Sequence, residues 1–110
     1  MLNSKNAVWK TKSAQQFADV LADIPDVSVM KKFLRDVMTE TEIIELGRRL
    51  EAAKLLQTGT KYTDVTKITK LSSRTVARIS DWLQNGCNGY EVALQIINKH
   101  HGHTPPARAK

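Results

Sequence analysis

Cysteine is almost absent from this chain: Cys87 is the one thiol in 110 residues. No internal disulfide can form, and no Cys-x-x-Cys pair offers a zinc or redox site. Free cysteines mostly serve as small buried or loop side chains, and Cys87 is read that way. Aromatics are also scarce, at 5% of residues. Any core must therefore be assembled mainly from Leu, Ile, Val and Ala, which make up most of the 41% hydrophobic content. No apolar run approaches the ~20 residues that a membrane span needs. The opening segment, MLNSKNAVWKTKSAQQF, lacks the apolar stretch of a secretory signal. The expectation is a soluble cytoplasmic protein.

Catalytic signatures are missing too. There is no glycine-rich phosphate loop, no nucleophile with a paired histidine, and no carboxylate pair outside amphipathic helices. Glu40, Glu42 and Glu45 suit the first turns of a helix, where acidic groups favour the dipole. His100, His101 and His103 cluster near the end without a nearby cysteine or carboxylate, which argues against a metal site. No enzyme, cofactor or metal is expected. Strand-like alternation and internal repeats are lacking as well.

What the chain does have is positive charge, unevenly placed. The net charge is +6. Residues 1–60 hold nine Lys/Arg against eight Asp/Glu, whereas residues 61–110 hold eight against three. Lys61, Lys67, Lys70, Arg74 and Arg78 fall within 61–80 beside a single acid, Asp64. A basic field concentrated on one short segment is the footprint of a polyanion binder.

Periodicity then gives an all-α chain of about six helices. Residues 1–12 show no clear period and read as a flexible arm in which Trp9 is an anchoring candidate. Ser13 can cap a helix over 14–23, with Phe17, Val20, Leu21 and Ile24 on one stripe. Ile24-Pro25 stops it. Asp26 or Ser28 caps a second helix to about Val37, with Val29, Met30, Phe33, Leu34 and Val37 apolar. Thr39-Glu40-Thr41-Glu42 is a capping box that opens a long helix, ended near Thr58 by Gly59 as a left-handed cap. Its Ile43, Ile44, Leu46, Leu50, Ala53, Leu55 and Leu56 cover more than one narrow stripe, so it should be central to the core. They are also more apolar surface than one short chain can cover, which points to a homodimer. A last helix is expected over about 89–100, after the Asn85-Gly86 and Asn88-Gly89 turns, with Tyr90, Val92, Ala93, Ile96 and Ile97 apolar. The tail HGHTPPARAK, residues 101–110, is expected to be disordered and basic. The domain between arm and tail spans 13–100.

The segment TDVTKITKLSSRTVARISDWL, residues 63–83, carries the functional signal. It reads as helices over about 61–69 and 73–83 joined by a tight turn. Val65, Ile68 and Leu71 face inward from the first helix and turn. Val76, Ile79 and Leu83 do so from the second. Ser72 caps the second helix, whose amide-rich start favours phosphate. Ser72, Ser73, Arg74, Thr75 and Arg78 then form a polar, basic face suited to the major groove of DNA. Arg can pair bidentately with guanine, and hydroxyls can meet base edges. Lys67 and Lys70 are placed to reach the phosphate backbone.

The chain resembles the Trp repressor superfamily, and within it the YerC/YecD-type Trp-repressor-like proteins. MTETEIIELGRRLEAAKLLQTG (38–59) is similar to the long central helix of that family, with its cap, mid-helix Gly47 and terminal Gly59. VTKITKLSSRTVARIS (65–80) is similar to its helix-turn-helix, and NGCNGYEVAL (85–94) to the turn and final helix of the YerC/YecD group. The resemblance covers roughly residues 13–100. It implies an intertwined, all-helical homodimer that binds double-stranded DNA through two recognition helices. It also implies an effector pocket. Arg49 and Arg78 match the two arginines that sandwich the L-tryptophan corepressor, and Thr39 matches a residue lining that pocket. The pattern departs at Ile79, where the family has glycine, and at Trp82, where it has serine. Both large side chains should crowd the cavity, with Trp82 filling it, so DNA binding is expected not to depend on tryptophan.

The reading is a sequence-specific transcriptional regulator, with repression the expected sign. The alternative is a helical interaction module whose basic face docks on an acidic protein. An RNA binder is disfavoured, because base stacking calls for exposed aromatics that this face lacks.

Overall fold

The computed structural model describes residues 4–100. Among them there are six α-helices and no strands. The helices are α1 (Lys12–Asp23), α2 (Val27–Val37), α3 (Glu40–Gln57), α4 (Tyr62–Thr69), α5 (Ser73–Asn85) and α6 (Gly89–His100). The all-α expectation holds, and helix bounds agree with the sequence reading to within a residue or two. The tail 101–110, with His101 and His103, lies outside the described residues.

Within the segment expected as a flexible arm, Ser4–Lys10 form a 3-10 helix that contacts α1. Thr11 donates its amide to the Val8 carbonyl at 3.1 Å, so the chain is already coiled when α1 begins. As a result α1 starts at Lys12 with Thr11 as N-cap, and Ser13 lies inside the first turn. Neither Thr11 nor Ser13 gives a side-chain cap.

The other helix starts follow local chemistry. Asp26, not Ser28, caps α2, accepting the Val29 amide at 2.9 Å. The capping box of α3 is formed in both directions. The Glu42 amide donates to Thr39 Oγ1 at 3.1 Å, and the Thr39 amide donates to Glu42 Oε1 at 2.9 Å. Gly59 has φ +91°, the left-handed conformation that ends α3 and that a Cβ would oppose.

The chain forms two compact units, up to Ile43 and from Ile44, where the sequence suggested one domain over 13–100. In the first unit neither α1 nor α2 has a buried residue. Phe17 and Phe33 meet with ring centroids 5.9 Å apart, which joins the two helices. Trp9 is about half exposed.

In the second unit the core comprises Ala52 and Ala53 of α3, Val65 of α4, Leu71 of the following turn, Val76 and Ile79 of α5, and Leu94 of α6. Enclosing a Val, Leu or Ile is worth roughly 1.5–3 kcal/mol each, so this cluster provides the unit's main cohesion. Leu50, Leu55, Leu56, Trp82, Leu83, Tyr90 and Ile97 pack around it.

Two apolar readings are corrected here. Ile68 is 57% exposed, because α4 turns the Val65–Thr69 edge inward and leaves Ile68 at the margin. In α6 the enclosed residue is Leu94, while Val92 and Ile96 lie outside. The buried stripe is Tyr90, Leu94 and Ile97, at i, i+4, i+7 spacing.

Gly86 closes α5, and its backbone amide donates to the Trp82 carbonyl at 3.0 Å. A Cβ at this position would lie 2.5 Å from that same carbonyl oxygen. Gly86→Ala should therefore destabilise the protein by about 1–3 kcal/mol, read as a lowered urea midpoint with unchanged slope.

Candidate nucleic-acid interface

The turn between α4 and α5 is Lys70-Leu71-Ser72, and each residue has a distinct task. Lys70 caps α4 in the left-handed conformation, φ 66° and ψ 15°. Leu71 is buried in the core. Ser72 caps α5, with its Oγ accepting the Thr75 amide at 3.1 Å. The same hydroxyl donates to Thr75 Oγ1, also at 3.1 Å.

A residue overlooked in the sequence holds this turn together. Thr69 is 3% exposed, and its Oγ1 donates to the Val65 carbonyl at 2.7 Å. It also accepts the Leu71 amide at 3.3 Å. One buried hydroxyl thus closes α4 and satisfies a donor that the turn takes out of water. The detectable signal was a threonine ending an apolar stripe just before the turn.

Val76 and Ile79 turn inward, which fixes the opposite side of α5. That side presents Ser73, Arg74, Ala77 and Arg78, all exposed, with Thr75 half-buried beside them. Lys67 and Lys70 are exposed on α4 and in the turn. The seven residues expected at this interface thus span the end of α4, the turn and the first turns of α5. Ser72 and Thr75 are partly committed to each other, whereas Ser73, Arg74 and Arg78 are not.

The ion pairs among the described residues are Arg49–Glu45 at 3.4 Å and Lys54–Glu51 at 3.3 Å, both within α3. The cations of the α4–α5 surface have no carboxylate partner there. Arg74 and Arg78 are one helical turn apart, four residues along the same side of α5. The Ser73 and Arg74 amides begin the helix without an intrahelical acceptor, which adds to the positive potential at this end.

The residues expected at an effector pocket are placed differently. Thr39 belongs to the first unit, where it caps α3. Ile79 is fully enclosed in the core of the second unit, and Trp82 is half-buried against it. Arg49 is ion-paired with Glu45. Burial pushes the Tyr90 phenol above its ordinary range, while the positive Arg49 side chain pulls the other way, so Arg49 also acts on α6. Arg78 is exposed. Cys87 is a free, exposed thiol between α5 and α6. Among the described residues no group of His, Cys, Asp or Glu has the arrangement to hold a metal. Among the same residues no helix is long and apolar enough to cross a membrane.

Two helices joined by a three-residue turn, the second with a capped start and an outward basic side, define a helix-turn-helix protein. The Trp repressor protein family matches residues 12–98, and the chain belongs to that family. It is 30% identical over 88 residues to YerC of Bacillus subtilis (strain 168), itself uncharacterized, covering 80% of this chain and 85% of YerC. A crystal structure of a TrpR-like protein from Eubacterium eligens ATCC 27750 superposes with a TM-score of 0.75 at 28% identity, covering 83% of this chain and 94% of the other. A Staphylococcus aureus protein assigned as a Trp repressor superposes at 0.73 with 25% identity, covering 80% and 88%. The chain is a YerC-type Trp-repressor-like protein.

The left-handed Lys70 yields a stability test. A side chain in this conformation costs about 1 kcal/mol or more that glycine avoids, less what glycine adds in unfolded-chain entropy. Lys70→Gly should leave stability unchanged or raise it by up to ~1 kcal/mol, measured by urea unfolding, although it removes a charge from the basic surface.

Proposed function

We propose that this protein is a sequence-specific DNA-binding transcriptional regulator that acts as a homodimer and represses its targets. One observation carries the reading: Arg74 and Arg78 stand exposed on one side of α5, beside a serine-capped helix start, with no acidic partner among the described residues. Guanidinium groups on a helix that can enter the major groove suit guanine, which offers two acceptors there. Ser73 and Thr75 add hydroxyls for base edges. Lys67 and Lys70 supply phosphate contacts that set affinity and salt dependence.

Titrating duplex DNA, single-stranded DNA and heparin at two salt concentrations tests this reading. Duplex should be preferred at both. Equal affinity for heparin would instead favour a module that docks on acidic proteins. On a selected operator, Arg74→Ala should cost ~1–3 kcal/mol and relax specificity at one position. Lys67→Ala should weaken all sequences alike and flatten the salt slope by about one unit.

Dimerisation is supported by the apolar groups left uncovered. Neither α1 nor α2 encloses a side chain, and Phe17, Val20, Val29 and Val37 are exposed, as are Ile44 and Leu46 of α3. A second copy would remove this surface from water. Tryptophan independence is supported by the commitments already described: Arg49 to Glu45, Ile79 to the core, and Trp82 against it. Sedimentation at micromolar concentration should therefore read a dimer, and calorimetry should detect no micromolar binding of L-tryptophan. A monomer, or a tight tryptophan isotherm, would reject the corresponding half of this reading.

A further inference from the structure

We propose that the cleft beside the C-terminal ends of α3 and α5 binds a small amphipathic cation, an organic ammonium or guanidinium group carried on an apolar body. The site lies within the second unit and is separate from the basic face of α5. It stands whether or not that face binds DNA.

Size comes first. The cleft has a volume of about 350 Å³ and is open to solvent. That volume falls at the lower end of the roughly 300–1,000 Å³ typical of small-molecule sites. Its apolar wall is Leu56 and Leu83, with Tyr62 contributing an aromatic ring. This suits an apolar body the size of a phenyl or short alkyl group.

Charge selects the head group. The chain carries +6 overall, yet no lysine or arginine lines this cleft. Its one carboxylate is Glu91, in the first turn of α6. Glu91 makes no ion pair or side-chain hydrogen bond with other described residues. Two helices, α3 and α5, end here at Gln57 and Asn85. Lys54 lies in the last turn of α3, and the Lys54, Leu55 and Leu56 carbonyls accept the Thr58, Thr60 and Gly59 amides, whereas the last turn of α5 contains no basic residue to offset its negative end. Gly86 satisfies the Trp82 carbonyl, but the carbonyls of Leu83, Gln84 and Asn85 receive no backbone amide among the described residues. Each helix C-terminus counts as about half a negative charge, and the start of α6 as about half a positive one. With the end of α3 offset by Lys54, the ends of α5 and α6 cancel and the carboxylate of Glu91 leaves the balance negative.

Hydrogen-bonding capacity completes the site. The side chains of Gln57, Tyr62, Ser80 and Gln84 line the cleft and are uncommitted among the described residues. Amide oxygens and hydroxyls can accept from an ammonium or guanidinium group, whereas a carboxylate ligand would face Glu91 and the end of α5, both of its own sign.

Backbone-amide NMR on the full chain tests this with three probes that share a phenyl body: phenethylamine, phenethyl alcohol and hydrocinnamate. Phenethylamine should shift the amides of Thr60, Ser80, Gln84 and Glu91 more than either of the others at equal concentration. Glu91→Gln should weaken the amine by roughly threefold, the scale of a solvent-exposed charge pair. Gln84→Lys, which sets a like charge at the rim of the cleft, should weaken it by at least as much. Both side chains are exposed, and the spectra themselves report whether each variant is folded. The proposal is overturned by equal or larger shifts from the alcohol or the carboxylate, by an amine response that survives both substitutions, or by no response at these amides.

Discussion

The direction in which α5 faces is set by a core of seven enclosed side chains drawn from four helices and one turn. Val76 and Ile79 can point inward only because Ala52 and Ala53 of the long helix, with Val65 of α4, supply a matching apolar surface. Once that side of α5 is committed, the remaining side must face solvent, and Arg74 and Arg78 lie on it. The turn adds a second constraint. Thr69 fastens the end of α4 to Leu71, and Ser72 starts α5 immediately afterwards, so the angle between the helices has little freedom. Packing, turn chemistry and charge thus agree on one geometry.

Electrostatics separate the second unit into regions of different character. On α3, Arg49 and Lys54 are ion-paired within the helix with Glu45 and Glu51. On α4, the turn and α5 the cations are left unneutralised. At the far end of α5 the basic residues stop, and the helix's own C-terminus and the Glu91 carboxylate take over. A single helix of 13 residues therefore carries positive potential at its start and meets negative potential at its finish.

Features governed by neighbours in sequence were the most legible. The Thr39 capping box, the Ser72 cap, the Gly59 and Gly86 stops, and the bounds of α4, α5 and α6 all follow from residues within one helical turn of each other. Features governed by tertiary surroundings were less so. Ile68, Val92 and Ile96 are apolar and correctly spaced for a helix, but sit at the edges of their stripes, and only the packed neighbours decide which edge is covered. Leu94 was passed over for the same reason. The 3-10 helix over Ser4–Lys10 has too few residues to show a period. Thr69 could be recognised as small and polar, but its pair of buried hydrogen bonds depends on the turn that follows. The surface residues of α5 were identifiable because charge, cap and apolar stripe coincide within one segment. The cleft near Glu91 was not, because it is assembled from three separate stretches of chain.

The residues that hold α5 in place and the residues it displays are different sets. Ser73, Arg74, Ala77 and Arg78 contribute nothing to the core, and exposed positions of this kind usually change stability by no more than about 0.5 kcal/mol when replaced. The scaffold can therefore persist while its outward vocabulary is rewritten. Descendants of one ancestral chain could acquire divergent preferences through a few codon changes, without passing through an unfolded intermediate.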